Sequence, residues 1–163
     1  MAKPTGYTRL QVRLHWIIAL LIIAQFVLNE GIENAWDKIE KGGAMEFSPL
    51  VAAHVGGGIL ILLLALWRIS VKIKLGSPAL PENEPKWQKI AAHATHGFLY
   101  LLLILIPLSG LSAWFGGILP AAEAHEFLAG ALMFLVALHF AAAMYHHFVL
   151  KTDILRRMLK GQS

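Results

Sequence analysis

The chain has 163 residues, of which 57% are apolar and only 15% are charged, with a formal net charge of +4 and no cysteine. A soluble domain has about 25% charged residues, so the excess apolar surface is expected to face a lipid bilayer rather than water. The lack of cysteine excludes disulfides, iron–sulfur clusters and covalently attached c-type haem. The basic residues flank apolar segments and form no patch among polar residues, so we expect no nucleic acid partner.

Four apolar segments follow one another along the chain. Crossing about 30 Å of hydrocarbon takes about 20 helical residues, and each segment has that length. We therefore predict an all-α fold in which residues 1–163 form a single integral membrane four-helix bundle, with helices at about 10–29, 50–73, 90–115 and 124–150. The first segment follows basic residues as a secretory signal does. No small-x-small cleavage site comes after it, so we expect it to stay in the protein.

Three polar segments separate these helices. Residues 29–48 are predicted to form an acidic loop, residues 76–85 a Pro-rich loop and residues 116–120 a short turn. Pro107 lies inside the third helix, which it is expected to kink without ending it.

The orientation in the membrane follows from the lysines and arginines, which are more frequent in cytosolic flanks. Twelve of them, Lys3 included, lie at the N-terminus, around the second loop and in the C-terminal tail, while the first loop holds only Lys38 and Lys41. Both termini are therefore predicted to be cytosolic, and the loop at residues 30–46 is predicted to lie outside.

Histidines inside a membrane span are costly and usually functional. On the fourth helix His125 and His139 are 14 residues apart, which places them on one face and about 21 Å apart along the axis. His54 lies near the outer end of the second helix, as His125 does on the fourth. His15 lies in the cytosolic half of the first helix, as His139 does on the fourth. The positions predict an outer pair, His54 with His125, and an inner pair, His15 with His139.

Two imidazoles from facing helices fill both axial positions of a haem iron and leave no open position for a substrate, which is typical of electron transfer. A zinc site would need three or four ligands at one depth. The residue four positions after each histidine, which shares its face, is small and leaves space for a porphyrin: Ala19, Gly58, Ala129 and Ala143. We therefore predict two b-type haems (heme b), each held by two histidines, with Gly58 beside one of them.

Two further residues leave alternatives open. Arg68 is 14 residues after His54, on the same face and nearer the cytosol, so it is expected either to bind the propionates of the inner haem or to act as an ordinary anchor at a helix end. His146 is an alternative to His139 as the partner of His15.

The chain resembles the bacterial cytochrome b561 family of dihaem membrane cytochromes in four segments, RLQVRLHW, HVGGGILILLLALWR, HATHGFLYLLLILIPLSG and AHEFLAGALMFLVALHFAAAMYHHF. In that family the first and second helices give one haem ligand each and the fourth gives two. The resemblance thus implies the ligands His15, His54, His125 and His139. It also implies a multi-pass protein of the bacterial inner membrane that exchanges electrons with ubiquinone, and some single-chain members resemble superoxide oxidases.

These observations predict a membrane oxidoreductase that transfers electrons to or from ubiquinone, with superoxide oxidase or quinone reductase activity. Its partners would be the bilayer, the quinone pool, and superoxide or a redox partner protein. One alternative is a membrane-anchor subunit that links a partner dehydrogenase to the quinone pool, and another is a haem-free metal or proton transporter. Seven outer carboxylates should repel superoxide: Glu30, Glu33, Asp37, Glu40, Glu46, Glu123 and Glu126. A local entry for superoxide near Lys38 or Lys41 is left open.

Quinone reduction consumes protons, so its site is expected to contain groups that titrate near neutral pH. His93, His96, His146 and His147 lie on the cytosolic side. We predict His96 as the residue that contacts quinone and His146 as the second choice. The alternative is that these histidines are interfacial residues with no contact to a substrate.

Overall fold

The computed structural model of the protein describes residues 4, 6–44, 46–79 and 84–162. Lys3 and part of the predicted Pro-rich loop, residues 80–83, lie outside the described residues. The chain forms six helices in the described part. They are α1 (Arg9–Val27), α2 (Glu30–Glu40), α3 (Pro49–Leu75), α4 (Lys86–Gly116), α5 (Leu119–Phe148) and α6 (Ile154–Leu159).

The four helices α1, α3, α4 and α5 are long and apolar enough to cross a membrane, which confirms the prediction of an all-helical fold with four long apolar helices. Many large apolar side chains lie on the outside of this bundle. Ile73 on α3 is 77% exposed and Phe127 on α5 is 76% exposed. In water such a surface would be strongly unfavourable, and in lipid it is solvated.

The long helices pack in the order α1, α3, α4, α5. A cluster of buried apolar side chains joins all four of them at mid-height: Ile18, Ile61, Ala65, Leu102, Leu103 and Leu132. Leu132 is seven residues from both His125 and His139, so the cluster lies between the levels of the two histidines. Over the described residues, α1 and α5 make no extensive backbone contact.

The starts of the helices follow from local sequence. Thr8 caps α1 in a capping box with Gln11, in which each side chain binds the backbone of the other residue. Ser48 accepts a hydrogen bond from the Val51 amide at the start of α3, and Pro49 occupies the first turn, where no amide hydrogen is needed.

The predicted acidic loop is partly helical, because residues 30–40 form α2. Glu30 and Glu33 lie in its first turn, where the helix dipole favours negative charge. Its apolar residues recur at helical spacing and pack against the outer parts of α3 and α4, around Val51 and Trp114. An amphipathic helix this short forms because the bundle offers a surface for its apolar face.

Two of the long helices begin earlier than the apolar pattern suggested. α4 begins at Lys86 and α5 at Leu119, since a helix continues through its polar interfacial turn beyond the lipid core. Pro120 is accommodated in the first turn of α5. Pro107 is buried inside α4, which continues on both sides of it.

Both ends of the chain meet at one end of the bundle. The Trp16 indole on α1 donates a hydrogen bond to the Met158 carbonyl on α6 (2.8 Å), and the Gln162 amide donates to the Tyr7 carbonyl (2.8 Å). We call this the inner end and the end that carries α2 the outer end. That the inner end faces the cytosol remains a prediction from the charges.

Candidate functional site

The structure brings four of the predicted histidines together in two pairs. Near the outer end His54 on α3 faces His125 on α5, with 6.1 Å between the ring centres. Towards the inner end His15 on α1 faces His139 on α5, with 6.2 Å between the ring centres. Each pair thus joins α5 to a different helix, at a different height of the bundle.

The separation within each pair fits an iron ion between the rings. Two metal–imidazole bonds of about 2 Å, with ring centres roughly 1 Å further out on each side, give about 6 Å between the centres. Ordinary contacts between aromatic rings also span about 4.5–7 Å, so one such distance alone does not indicate a metal site. Two histidine pairs with this separation, at two levels of α5, are the more specific observation.

The ring of His125 on α5 is held in one orientation by α4. The Nδ1 atom of His125 lies 2.8 Å from the Ile106 carbonyl oxygen, which also accepts a hydrogen bond from the Ser109 hydroxyl (2.9 Å). A histidine that gives its Nδ1 hydrogen to a carbonyl keeps Nε2 free to bind a metal. A Cβ atom at Gly110 would lie 2.8 Å from Nδ1 of His125. Gly110 therefore makes space for this ring.

Two buried nitrogens near the outer end have no hydrogen-bond partner among the described residues. They are Nδ1 of His54 and Nε1 of Trp114. Buried polar atoms are usually satisfied, so these two indicate a group that the chain itself does not supply. Gly58, one turn after His54, has open space where a Cβ atom would be, as expected beside a porphyrin.

The inner level contains a third histidine. His96 on α4 lies with its ring centre 5.1 Å from that of His139, and its Nδ1 is 2.6 Å from the Ala92 carbonyl oxygen. A separation of 5.1 Å is too short for a metal between these two rings, since about 6 Å is needed. His139 is therefore better placed to share an iron with His15 than with His96.

Arg68 lies at this inner level and points into the bundle. Its side chain is half-buried and donates a hydrogen bond to the Gln11 carbonyl of α1. Its charge acts on the three histidines of the inner level, His15, His139 and His96. This position is what a propionate-binding role requires, although that role remains a prediction.

Polar residues surround the inner level between α1, α3 and α4. The Lys72 ammonium lies 4.8 Å from the centre of the Tyr100 ring, and these two residues line an open cleft of about 360 Å³ together with Ile69 and Ile73. Burial raises the pKa of Tyr7, while the Arg68 guanidinium opposes that rise. The Tyr7 hydroxyl therefore stays protonated at neutral pH and remains a hydrogen-bond donor.

His146 lies away from the inner pair. Its Nδ1 is 3.3 Å from a carboxylate oxygen of Glu84, and its ring faces Tyr145 rather than His15. His93 is exposed, and the His147 ring contacts Phe148. In the part of the chain that the structure describes, no three histidine or acidic side chains converge as ligands of one metal ion.

Sequence reasoning missed three residues of this site. Gly110 and Trp114 are one helical turn apart on α4, and a glycine shortly after a proline inside a long helix was a visible sign of close packing. Gln11 is only 5% exposed, and its side chain donates a hydrogen bond to the Gly76 carbonyl just after the end of α3 (2.9 Å). From the sequence, only the capping motif that Gln11 forms with Thr8 could have been recognised.

The donor set fits b-type haem. Each pair supplies two imidazoles, an apolar cluster separates the two levels, and no thiolate ligand exists because the chain has no cysteine. Imidazole pairs with no third ligand favour an electron-transfer centre over a hydrolytic metal site.

Comparisons with known proteins agree with this chemistry. The family model described as prokaryotic cytochrome b561 matches residues 6–161. The chain is 37% identical to cytochrome b562 of Cereibacter sphaeroides, with 98% of this chain and 99% of the relative covered. It is 33% identical to a Yersinia pestis protein named probable superoxide oxidase CybB, with 94% and 95% covered. It is 27% identical to cytochrome b561 homolog 1 of Escherichia coli, with 94% and 96% covered. The chain is therefore a member of the prokaryotic cytochrome b561 family, membrane cytochromes of the b type.

Proposed function

We propose that this protein is a dihaem electron carrier of the bacterial inner membrane that passes electrons from a donor at its outer end to ubiquinone at its inner end. The observation that carries the proposal is the pair of histidine contacts, at 6.1 and 6.2 Å between ring centres, on one face of α5. Bound haem iron would alternate between its ferric and ferrous states and so accept and release one electron at a time.

The chain's own residues hold and tune the two sites. His54 and His125 are the proposed outer ligands, and the Ile106 carbonyl keeps His125 in the orientation that leaves Nε2 free. The buried Trp114 indole offers a hydrogen bond to a carboxylate of the outer haem.

The inner site is proposed to use His15 and His139. Arg68 is placed to neutralise haem carboxylates, because its half-buried guanidinium faces this level and its anchor on Gln11 keeps it there. A positive charge in a region of low dielectric constant favours the reduced, more electron-rich state. Arg68 therefore makes the inner site the better electron acceptor.

Ubiquinone is proposed to bind beside the inner site, near His96. Tyr100 is one helical turn after His96 and lines the cleft of about 360 Å³ between α3 and α4. The cleft has an apolar wall for a ring, and the Lys72 ammonium and the Tyr100 ring lie at its edge. His96 presents its Nε2 as the free nitrogen, since Nδ1 is bound to the Ala92 carbonyl.

Superoxide is the first donor to test, because the relative from Yersinia pestis carries the name of a superoxide oxidase. The outer surface does not attract anions. Lys38 forms an ion pair with Glu46 (2.8 Å) and Lys41 with Asp37 (3.7 Å), so both lysines of the outer loop are neutralised. A superoxide donor would have to approach against the field of the remaining carboxylates.

The test combines haem analysis with single-turnover kinetics on the purified chain. The wild-type protein is expected to contain two haems, and each substitution of a ligand by alanine is expected to remove one of them: His15, His54, His125 and His139. Reduced protein should be reoxidised by a soluble ubiquinone without a partner, which separates a free-standing carrier from a dehydrogenase anchor. A colourless wild-type protein, or one haem per chain, would exclude the dihaem proposal.

A further inference from the structure

A largely buried carboxylate faces a partly buried imidazole at the inner end of the bundle, outside the proposed haem sites. Glu84, in the segment before α4, places Oε1 3.3 Å from Nδ1 of His146 on α5. The Glu84 side chain is only 7% exposed and that of His146 is 17% exposed. The two residues come from segments far apart in the chain, so the contact depends on the tertiary fold.

Neither of these two atoms has a well-aligned hydrogen-bond partner, and the same is true of the nearby side-chain oxygen of Gln88. Leaving a carboxylate buried without a hydrogen bond is costly, above all when it is charged. The pair is not part of the apolar cluster that joins the four long helices. Buried polar atoms without an aligned partner call for an explanation beyond packing.

The pair lies between the inner surface and the inner haem level. His146 follows His139 by seven residues, which keeps it on the same face of α5 and about 10 Å nearer the inner end. Glu84 belongs to the loop at that surface. A proton that enters at Glu84 would therefore reach the face of α5 that carries the proposed inner site.

We propose that Glu84 and His146 form a proton-entry pair that supplies the protons consumed when quinone is reduced at the inner end. The inference rests on the proposed quinone reduction and deepens it by naming the residues that deliver the protons. His146 then acts as a relay from the surface, and direct contact with quinone is left to His96.

The chemistry balances with two electrons and two protons. The quinone accepts two electrons, one at a time, from the outer one-electron donor by way of the inner site, and each carbonyl oxygen gains one proton to give the quinol. For each proton, the Glu84 carboxyl transfers H⁺ to Nδ1 of His146, and the imidazole releases the H⁺ of Nε2 towards the quinone. The imidazole then returns to its Nε2-protonated tautomer, and the Glu84 carboxylate takes up H⁺ from bulk solvent at the inner surface, so that the pair is ready for the second proton.

Other charged and titratable groups also lie near this end. Arg157 on α6 pairs with Asp153 (2.9 Å) and binds the Ala79 carbonyl. On α5 the Tyr145 ring contacts the His146 ring at 6.3 Å, while the next histidine contacts Phe148. Two lysines lie in the first turn of α4: Lys86 and Lys89. Glu84 is the only carboxylate paired with His146 among the described residues.

The test uses dihaem protein that is reduced first and then mixed with a soluble ubiquinone. Glu84→Gln and His146→Gln keep the size of the side chains and remove the relay. Each should retain both haems and slow reoxidation about tenfold or more, since positioned proton transfer contributes about 100-fold or more. Formate, a small weak acid, should restore the rate of Glu84→Gln. An infrared carboxyl band that is sensitive to deuterium and lost in Glu84→Gln would report the group itself, independently of turnover.

Glu123→Gln is the matched control, because Glu123 is exposed at the opposite end of α5, and it should reoxidise at the wild-type rate. Wild-type rates in Glu84→Gln and His146→Gln, with quinone still reduced, would overturn the proton-entry pair and leave the proposed function standing. A slow Glu84→Gln that formate fails to restore would also overturn it. Failure of the wild-type protein to react with quinone would instead overturn the proposed function and, with it, this inference.

Discussion

Gly110 leaves no room for a side chain beside the His125 ring, which makes the substitution Gly110→Ala informative. The new Cβ atom would lie 2.8 Å from Nδ1 and 2.9 Å from Cε1 of the imidazole. Non-bonded carbon contacts are normally about 3.5–4.0 Å, so the ring would have to move by roughly 1 Å. Such a movement breaks the contact of 2.8 Å between Nδ1 and the Ile106 carbonyl.

The size of the effect follows from the role of that contact. Removing a hydrogen bond from a metal-bound histidine typically weakens metal binding about 10–100-fold. This corresponds to about 1.4–2.8 kcal/mol at 1.4 kcal/mol per factor of ten. We expect Gly110→Ala to bind the outer haem that much more weakly. We also expect the outer haem that stays bound to have a higher reduction potential. An imidazole that has lost its hydrogen bond to the Ile106 carbonyl is less basic and stabilises ferric iron less.

The assay is the ratio of haem to protein after purification, followed by a redox titration of the reduced absorption bands. The inner haem should be unchanged, since its ligand on α5 lies about 21 Å away. Gly56→Ala is the control, because Gly56 is exposed near the same end and has no atom within 4 Å of an added Cβ. Two haems with wild-type potentials in Gly110→Ala would refute the argument that α4 orients His125.

Three more predictions concern the inner site and the donor. Arg68→Ala should lower the reduction potential of the inner haem by about 60 mV, which is a tenfold change in a one-electron equilibrium. Arg68→Lys should recover part of this loss. Arg13→Ala, at an exposed position, should leave the potential unchanged in the same redox titration. His96→Ala should keep both haems but slow reoxidation by quinone about 100-fold in stopped-flow mixing; an unchanged rate would place the quinone elsewhere. Raising the ionic strength should accelerate reduction by superoxide, because salt screens the repulsion from the outer carboxylates, and a decrease in rate would contradict that charge pattern.

Much of the proposed site was predictable from spacing alone. The 14 residues between His125 and His139 place both on one face because the period of a helix is set by its backbone hydrogen bonds. The length of each apolar segment is set by the thickness of the bilayer. Depth in the membrane then suggested which histidine of α1 and α3 meets each of them, and the structure brings the same pairs together. Whether these pairs bind haem remains a prediction.

The remaining parts depend on which helices touch and at what height. α2 is a helix because the bundle offers its apolar face a partner, whereas its sequence is acidic enough to suggest a loop. The place of His96 beside His139 depends on how α4 and α5 are aligned along their axes. Such an alignment results from the interlocking of side chains across helices, which no local pattern reports.

The sequence by itself determined the four spans, the one face of α5 that carries two histidines, and the excess of positive charge at one end. These properties are local or periodic, because they depend on the composition of each segment and on the geometry of a single helix. Only the tertiary structure decided that Gly110 makes space for His125, that Arg68 faces the inner histidines, and that Glu84 meets His146. Each of these contacts joins two different helices or segments, so its geometry exists only once the helices have packed.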